Sequence, residues 1–270
     1  MNQKADKKEA GLSLGRDAKL ILRLSANDFK TKYAGSYLGI IWAFVQPVVT
    51  ILVYWFVFSV VRSGSMRKVP FVLWLIAGLI PWFFFQDGLN SGTNALLEYS
   101  YLVKKVVFRI EILPVVKLCS ALYVHLFFAA VLLLLYIVMG FFPGISAVQL
   151  IYYSFAMFVL VLGIVYLTGS VVIFFRDLSQ IINIVLQVGV WMTPIMWNFE
   201  DLHIAGPLRI IFMANPMYYI VEGYRSALID GTWFWERPLL TAYFWGFTLV
   251  IFLLGRHVFG KLRVHFADIL

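Results

Sequence analysis

The chain has 270 residues, of which 62% are hydrophobic, 18% aromatic and only 13% charged, with a formal net charge of +8. Soluble domains run near roughly 45–50% apolar and 25% charged, so this composition excludes a water-soluble domain and indicates an integral membrane protein. The surplus lysine and arginine lie beside apolar runs, where an anionic membrane surface explains them better than nucleic acid does.

In chain order, residues 1–16 are charged and expected to be loose. Over 17–34 a helical wheel places Leu22, Ala26, Phe29 and Tyr33 on one stripe, flanked by Lys19, Arg23 and Lys30 within about 40°. That pattern predicts an amphipathic helix in the membrane interface, serving as a lipid anchor or touching an anionic substrate headgroup. A polar N-terminus followed by a long apolar run from near Tyr37 does not read as a cleavable signal peptide.

A span needs about 20 apolar residues. Six stretches qualify, approximately 37–61, 70–90, 113–141, 148–175, 181–197 and 239–259. The fifth is short, and Pro194 near its end predicts a kink or early exit. An even number puts both termini on one side. With the N-terminus inside, fifteen lysines and arginines lie inside and six outside, Lys117 falling within a span. The bias predicts cytoplasmic termini. Arg62, Arg67 and Lys68 run against it, and an acidic substrate or headgroups outside would account for them.

The stretch 93–112 joins the second and third spans. Read as one helix, Glu98, Lys105 and Arg109 fall within about 40° of each other. Leu96, Tyr99, Val103, Val106, Val107 and Ile110 fill an arc of about 100° opposite. Such a helix either rests on the lipid surface or receives a soluble partner. The turn holding Arg176 and Asp177 is short enough to make its two spans antiparallel neighbours, with both side chains expected to bond helix ends. The segment 198–238 is apolar in runs of about ten to twelve residues, too short to span, which predicts re-entrant or interfacial helices broken at Asn215-Pro216.

Several signatures are absent. There is no GxxxxGK[ST] loop for phosphate, and His125, His203, His257 and His265 lack metal-ligand spacing. The single cysteine, Cys119, excludes an internal disulfide. Span centres carry almost no acidic residues, which weighs against an ion-coupled transporter. No convergent carboxylate pair or nucleophile with a base supports an enzyme. Aromatic clusters at Trp82–Phe85, Tyr152-Tyr153, Tyr218-Tyr219 and Trp233–Trp235 read as an interfacial belt or as a lining on which sugar rings stack.

The chain resembles, nearly end to end, the membrane subunit of ABC-2 type exporters of lipid-linked cell-surface polymers, which include permeases for wall teichoic acid, O-antigen and capsular polysaccharide. The matching stretches are YLGIIWAFVQPVV (37–49), FRDLSQI (175–181), MTPIMW (192–197), NPMYYIVEGYRSAL (215–228) and FADIL (266–270). Residues 53–64 and 69–93 look most like the teichoic acid permeases.

The resemblance implies an all-α permease with an N-terminal interfacial region (1–36) and a six-span domain (37–270). It implies a homodimer in the bacterial plasma membrane, joined to two copies of a separate ABC ATPase that holds the ATP and Mg. No catalytic site or cofactor is expected in this chain. The coupling loop would be 91–112, with Leu96, Glu98, Tyr99, Leu102, Val103, Lys105, Val106 and Arg109 facing the ATPase. Tyr33, Tyr37, Leu38 and Gly39 would border the cytoplasmic entrance for an undecaprenyl-pyrophosphate-linked end. From charge and position, Lys30 and Lys32 are candidates to meet the pyrophosphate. Asn215, Pro216, Tyr218 and Tyr219 would belong to the exit. O-antigen or capsule export, and ABC-2 export of drugs or small lipids, are the alternatives to teichoic acid.

Overall fold

The computed structural model describes residues 2–61, 68–104, 109–199, 202–203 and 206–270; for 2–16 and 61 the description is of backbone alone. The described residues contain helices and turns and no strands. In lipid each backbone N–H and C=O needs a partner within the protein, and a helix supplies one segment by segment.

The helices run in this order: α1 (Asn2–Lys32), α2 (Trp42–Val61), α3 (Phe71–Thr93), α4 (Ala95–Glu98), α5 (Ser100–Val103) and α6 (Ile112–Val138). They continue with α7 (Gln149–Val172), α8 (Leu178–Met192), α9 (Gly206–Met213), α10 (Pro216–Arg225), α11 (Pro238–Leu262) and α12 (Phe266–Ile269). Single turns of tighter or wider helix precede α2 and α7, follow α10 and flank α11.

Five of these, α2, α3, α6, α7 and α11, are long and apolar enough to cross a membrane. The fifth expected span, 181–197, becomes α8, 15 residues long, or about 22 Å at 1.5 Å per residue. Proline disfavours helical geometry in the residue before it. Thr193, just ahead of Pro194, is accordingly extended at φ −94° and ψ 129°, and α8 stops at Met192. Among the described residues there are thus five helices of full span length and one short apolar helix where six spans were expected.

Two further expectations change. The helix at the N-terminus runs back to Asn2, where a loose segment was expected over 1–16. The stretch 93–112 is not one helix: it breaks at Asn94 (φ −84°, ψ 0°) and again at Tyr99 (φ −100°, ψ 27°). The wheel that grouped Glu98, Lys105 and Arg109 does not apply, and Lys105, Val106 and Val107 lie outside the described residues.

α3 is the axis of the bundle. Of its most apolar window 72% is buried, against 6% for the span containing α2. α3 packs on α6, α7 and α10, while α2 rests mainly on α3. A helix apolar all round suits that enclosed position. α7 and α11 pack along their length. They meet at Gly163 and Gly255, where a Cβ on Gly255 would press into the Gly163 carbonyl oxygen. Small residues at such crossings let helix backbones approach closely in lipid. A second apolar cluster, including Leu96, Val103, Leu113, Val172, Phe259 and Phe266, closes the end of the bundle that carries α1.

Gly255→Leu should overpack this crossing by about 1–3 kcal/mol. A lowering of the melting temperature by roughly 2–12 °C in detergent is expected; an unchanged value would contradict the close approach.

Candidate functional site

A cavity of about 440 Å³ opens among the end of α1, α2, α3 and α6. Its polar wall comes from helix periodicity: Gln46 and Thr50 sit one turn apart on α2, and Gln86 and Asn90 one turn apart on α3. Trp42, Tyr54, Phe83 and Phe84 supply aromatic surface between them. Lys32, at the last residue of α1, donates to Asp87 Oδ1 at 2.5 Å, and both residues line the cavity. Burial pushes the Tyr33 phenol up from its ordinary pKa; Lys32 pulls it back and Asp87 adds to the rise. Amide, hydroxyl and aromatic groups in one intramembrane cavity can hold a ligand with many hydroxyls and flat apolar faces.

His125 lines the same cavity. Its Nε2 lies 2.9 Å from Tyr224 Oη and 3.0 Å from Ser154 Oγ. The ring is thus hydrogen-bonded within the bundle, and no cluster that could hold a metal is found among the described residues.

At the same end, α1 is fastened to the connection between α3 and α6. Lys117 of α6 donates to Asp28 Oδ1 of α1 at 2.6 Å and to Glu98 Oε2 of α4 at 2.5 Å. The Tyr99 hydroxyl donates to the same Asp28 oxygen at 2.7 Å. Burial and then that bond push the Tyr99 phenol above its ordinary pKa. The Lys117 and Asp28 side chains are 6% and 4% exposed, while Glu98 is 51% exposed. Removing one partner of a buried pair costs about 3–5 kcal/mol, whereas a half-exposed pair contributes little. Asp28–Lys117 is therefore the bond that matters for stability. Arg109 reinforces the junction by pairing with Asp17, and Ser25 meets the Tyr123 hydroxyl at 3.0 Å.

This geometry rearranges the expected partner-facing set. Leu96 and Val103 are buried in the chain's own second cluster, and Leu102 packs against it. Glu98, Tyr99 and Arg109 are bonded to α1 or α6, and Lys105 and Val106 are among the undescribed residues. Among the described residues of the connection, Glu98, Tyr101, Lys104 and Arg109 are exposed.

Of the expected entrance residues, Lys32 and Tyr33 reach the cavity, while Lys30, Tyr37 and Leu38 are exposed. Gly39 takes φ +52°, a left-handed value that glycine adopts at little cost, and so allows the tight turn into α2. Arg176 and Asp177 are exposed. Asp177 occupies the N-cap of α8 without a side-chain capping bond, contrary to the helix-end role expected of it.

The opposite end is built around α10. Asn215 caps it by accepting from the Met217 amide at 3.0 Å, and its Nδ2 donates to Thr193 Oγ1 at 2.8 Å. Pro216 takes the first helical position, where its missing N–H is not needed. Tyr218 and Tyr219 are buried. The Tyr219 hydroxyl lies 3.0 Å from that of Tyr152, and its ring stacks on Phe244 at 4.6 Å. In the single chain these tyrosines therefore form core, not an open lining. Lys68 pairs with Asp230 at 2.8 Å; Arg62 and Arg67 lie outside the described residues.

Arg225, assigned to the outer surface by the charge count, is buried. Its guanidinium donates to the carbonyls of Pro194 and Ile195, each at 2.6 Å, and lies 3.4 Å over the Trp74 ring. The carbonyls freed where α8 unwinds find their donor here. The sequence carried a signal for Lys117, since a lysine in a span requires an acid nearby. It carried none for Arg225, whose hydrogen bonds to the Pro194 and Ile195 carbonyls involve backbone atoms.

Five membrane-length helices, of which α2, α3 and α6 wall a polar cavity, define the class: a polytopic helical membrane protein. Residues 19–229 match the family described as ABC-2 type transporter, and the chain belongs to that family. Its members are permease subunits that work with separate ATPase subunits. The chain is 27% identical to an O-antigen export system permease protein of Klebsiella pneumoniae, over 96% of this chain and 97% of that one. It is 24% identical to the O-antigen export system permease of Myxococcus xanthus, over 92% and 94%. It is 23% identical to the polysialic acid transport protein of Escherichia coli, over 86% and 89%.

Arg225→Lys retains the charge but loses the two-pronged donor. A destabilisation of about 1.5–3 kcal/mol is expected, with faster amide exchange in 192–197; wild-type exchange there would contradict the clamp.

Proposed function

We propose that this chain is the permease subunit of an ATP-driven exporter that moves a lipid-linked polysaccharide across a bacterial plasma membrane. The observation that carries the reading is the near end-to-end similarity to O-antigen permeases of two genera, covering 92% or more of this chain. The similarity to a polysialic acid transport protein points to the same class of cargo. These relatives favour a sugar polymer over the polyol-phosphate polymer suggested by residues 53–64 and 69–93.

Two copies pair in the membrane, each joined to one ABC ATPase subunit that holds ATP and Mg, with both termini in the cytoplasm. The barely covered faces of α2 and α8 meet the second copy or lipid. The α1 end faces the cytoplasm, and its cavity admits the linked end of the polymer. Lys32 and Lys30 lie where a pyrophosphate linkage would arrive. Gln46, Thr50, Gln86 and Asn90 offer amides and hydroxyls to sugar hydroxyls, while Trp42 and Tyr54 offer flat faces. The ATPase meets the connection at Glu98, Tyr101 and Lys104. α9 and α10 dip into the outer leaflet, and the Asn215–Tyr219 region gives way as the polymer leaves.

Depletion of this chain should trap lipid-linked polymer on the cytoplasmic side. A trapped phosphate-free polysaccharide supports the proposal. A trapped polyol-phosphate polymer would move the cargo to teichoic acid, and no trapped polymer would overturn polymer export.

A further inference from the structure

α1 carries two acid–base contacts one helical turn apart. Asp28 is bonded to Lys117 and Tyr99, and Lys32 is bonded to Asp87 at the cavity. Residues four apart lie on the same face of a helix, so the two contacts share one rigid edge of α1. A single carboxylate oxygen, Asp28 Oδ1, accepts from α6 and from the connection at once. Lys117 closes the triangle through Glu98 and lies 5.1 Å from the centre of the Tyr99 ring. Four segments thus meet along this edge: α1, α3, the connection and α6.

We propose that Asp28 and Lys117 are positioning residues for transport. They pass displacement of the 95–103 connection to α1, and α1 passes it to the Lys32–Asp87 contact at the cavity mouth. The connection cannot move away from the bundle end without breaking the bonds to Asp28 or carrying α1 with it. A shift of α1 draws Lys32 from Asp87 and frees the lysine for an arriving anionic group. When the connection returns, Lys32 re-pairs and the mouth closes behind the cargo. The inference rests on the proposed docking of the ATPase at the connection.

The test uses the complete complex of this chain with its ATPase in membranes, with polymer exported per ATP hydrolysed as the readout. Asp28→Leu combined with Lys117→Met replaces the buried pair by apolar groups, an exchange that buried pairs tolerate in stability. Asp28→Asn is the second variant, retaining size and an acceptor while Glu98 still faces the Lys117 charge. Export per ATP should fall about tenfold in the double variant and fall measurably in Asp28→Asn. Lys117→Arg, which still reaches both carboxylates, should keep at least about half of it.

Normal export per ATP in the assembled double variant, or in Asp28→Asn if the double variant does not assemble, would overturn the inference. So would a loss in Lys117→Arg as deep as in the double variant. The docking is tested separately by Tyr101→Cys in a Cys119→Ala background. A cross-link to the ATPase supports it; no cross-link in a complex that still exports would overturn the docking reading, and the lever with it.

Discussion

A lysine buried at the head of an apolar helix has to be met by an acid. Lys117 is met by Asp28 from another helix and by Glu98 from the connection that precedes its own. Among the described ion pairs at this end, Lys117–Asp28 is the one with both side chains buried. The pair fixes where α1 lies, and α1 in turn places Lys32 beside Asp87 and forms one wall of the cavity. In low dielectric such a pair is valuable chiefly because losing either member leaves an uncompensated charge. It thereby specifies one position for an otherwise amphipathic surface helix.

The other end solves a different problem by similar means. A helix that must unwind within lipid leaves carbonyls without donors. Here Pro194 forces the unwinding of α8, and Arg225 of α10 supplies two hydrogen bonds to the exposed backbone while stacking on Trp74 of α3. Asn215 and Thr193 add a side-chain bond between the same two regions. α10 is thus tied to the end of α8 and, through Trp74, to α3. The polar groups at both ends act through defined partners, whereas α2 and α8 leave broad apolar faces for lipid or a second copy.

Much of the fold was legible because hydropathy and helix length report directly on burial in a membrane. Five of the six expected spans, the short helices after Asn215 and the early stop at Pro194 all follow from composition or from the geometry of proline. What could not be read was pairing in space. Periodicity treated 93–112 as one helix because nothing in its wheel reveals the breaks at Asn94 and Tyr99, where Asn94 accepts from Ser179 of α8 and Tyr99 donates to Asp28 of α1. The same blindness turned Leu96 and Val103 outward when they face the chain's own core. It also counted Arg225 among the outer charges when it is a buried clamp. Lys32 and Tyr33, singled out because charge at the end of an amphipathic helix beside a span is a local signal, line the cavity. The cavity itself was not legible, because its walls come from four segments far apart in sequence.

The most direct measurement is transport itself, using the purified complex of this chain with its ATPase in sealed vesicles and a lipid-linked polysaccharide in the outer leaflet. The account predicts that ATP hydrolysis carries the polysaccharide into the lumen, where added glycosidase no longer reaches it. A polysaccharide that stays fully accessible while ATP is hydrolysed would contradict the account.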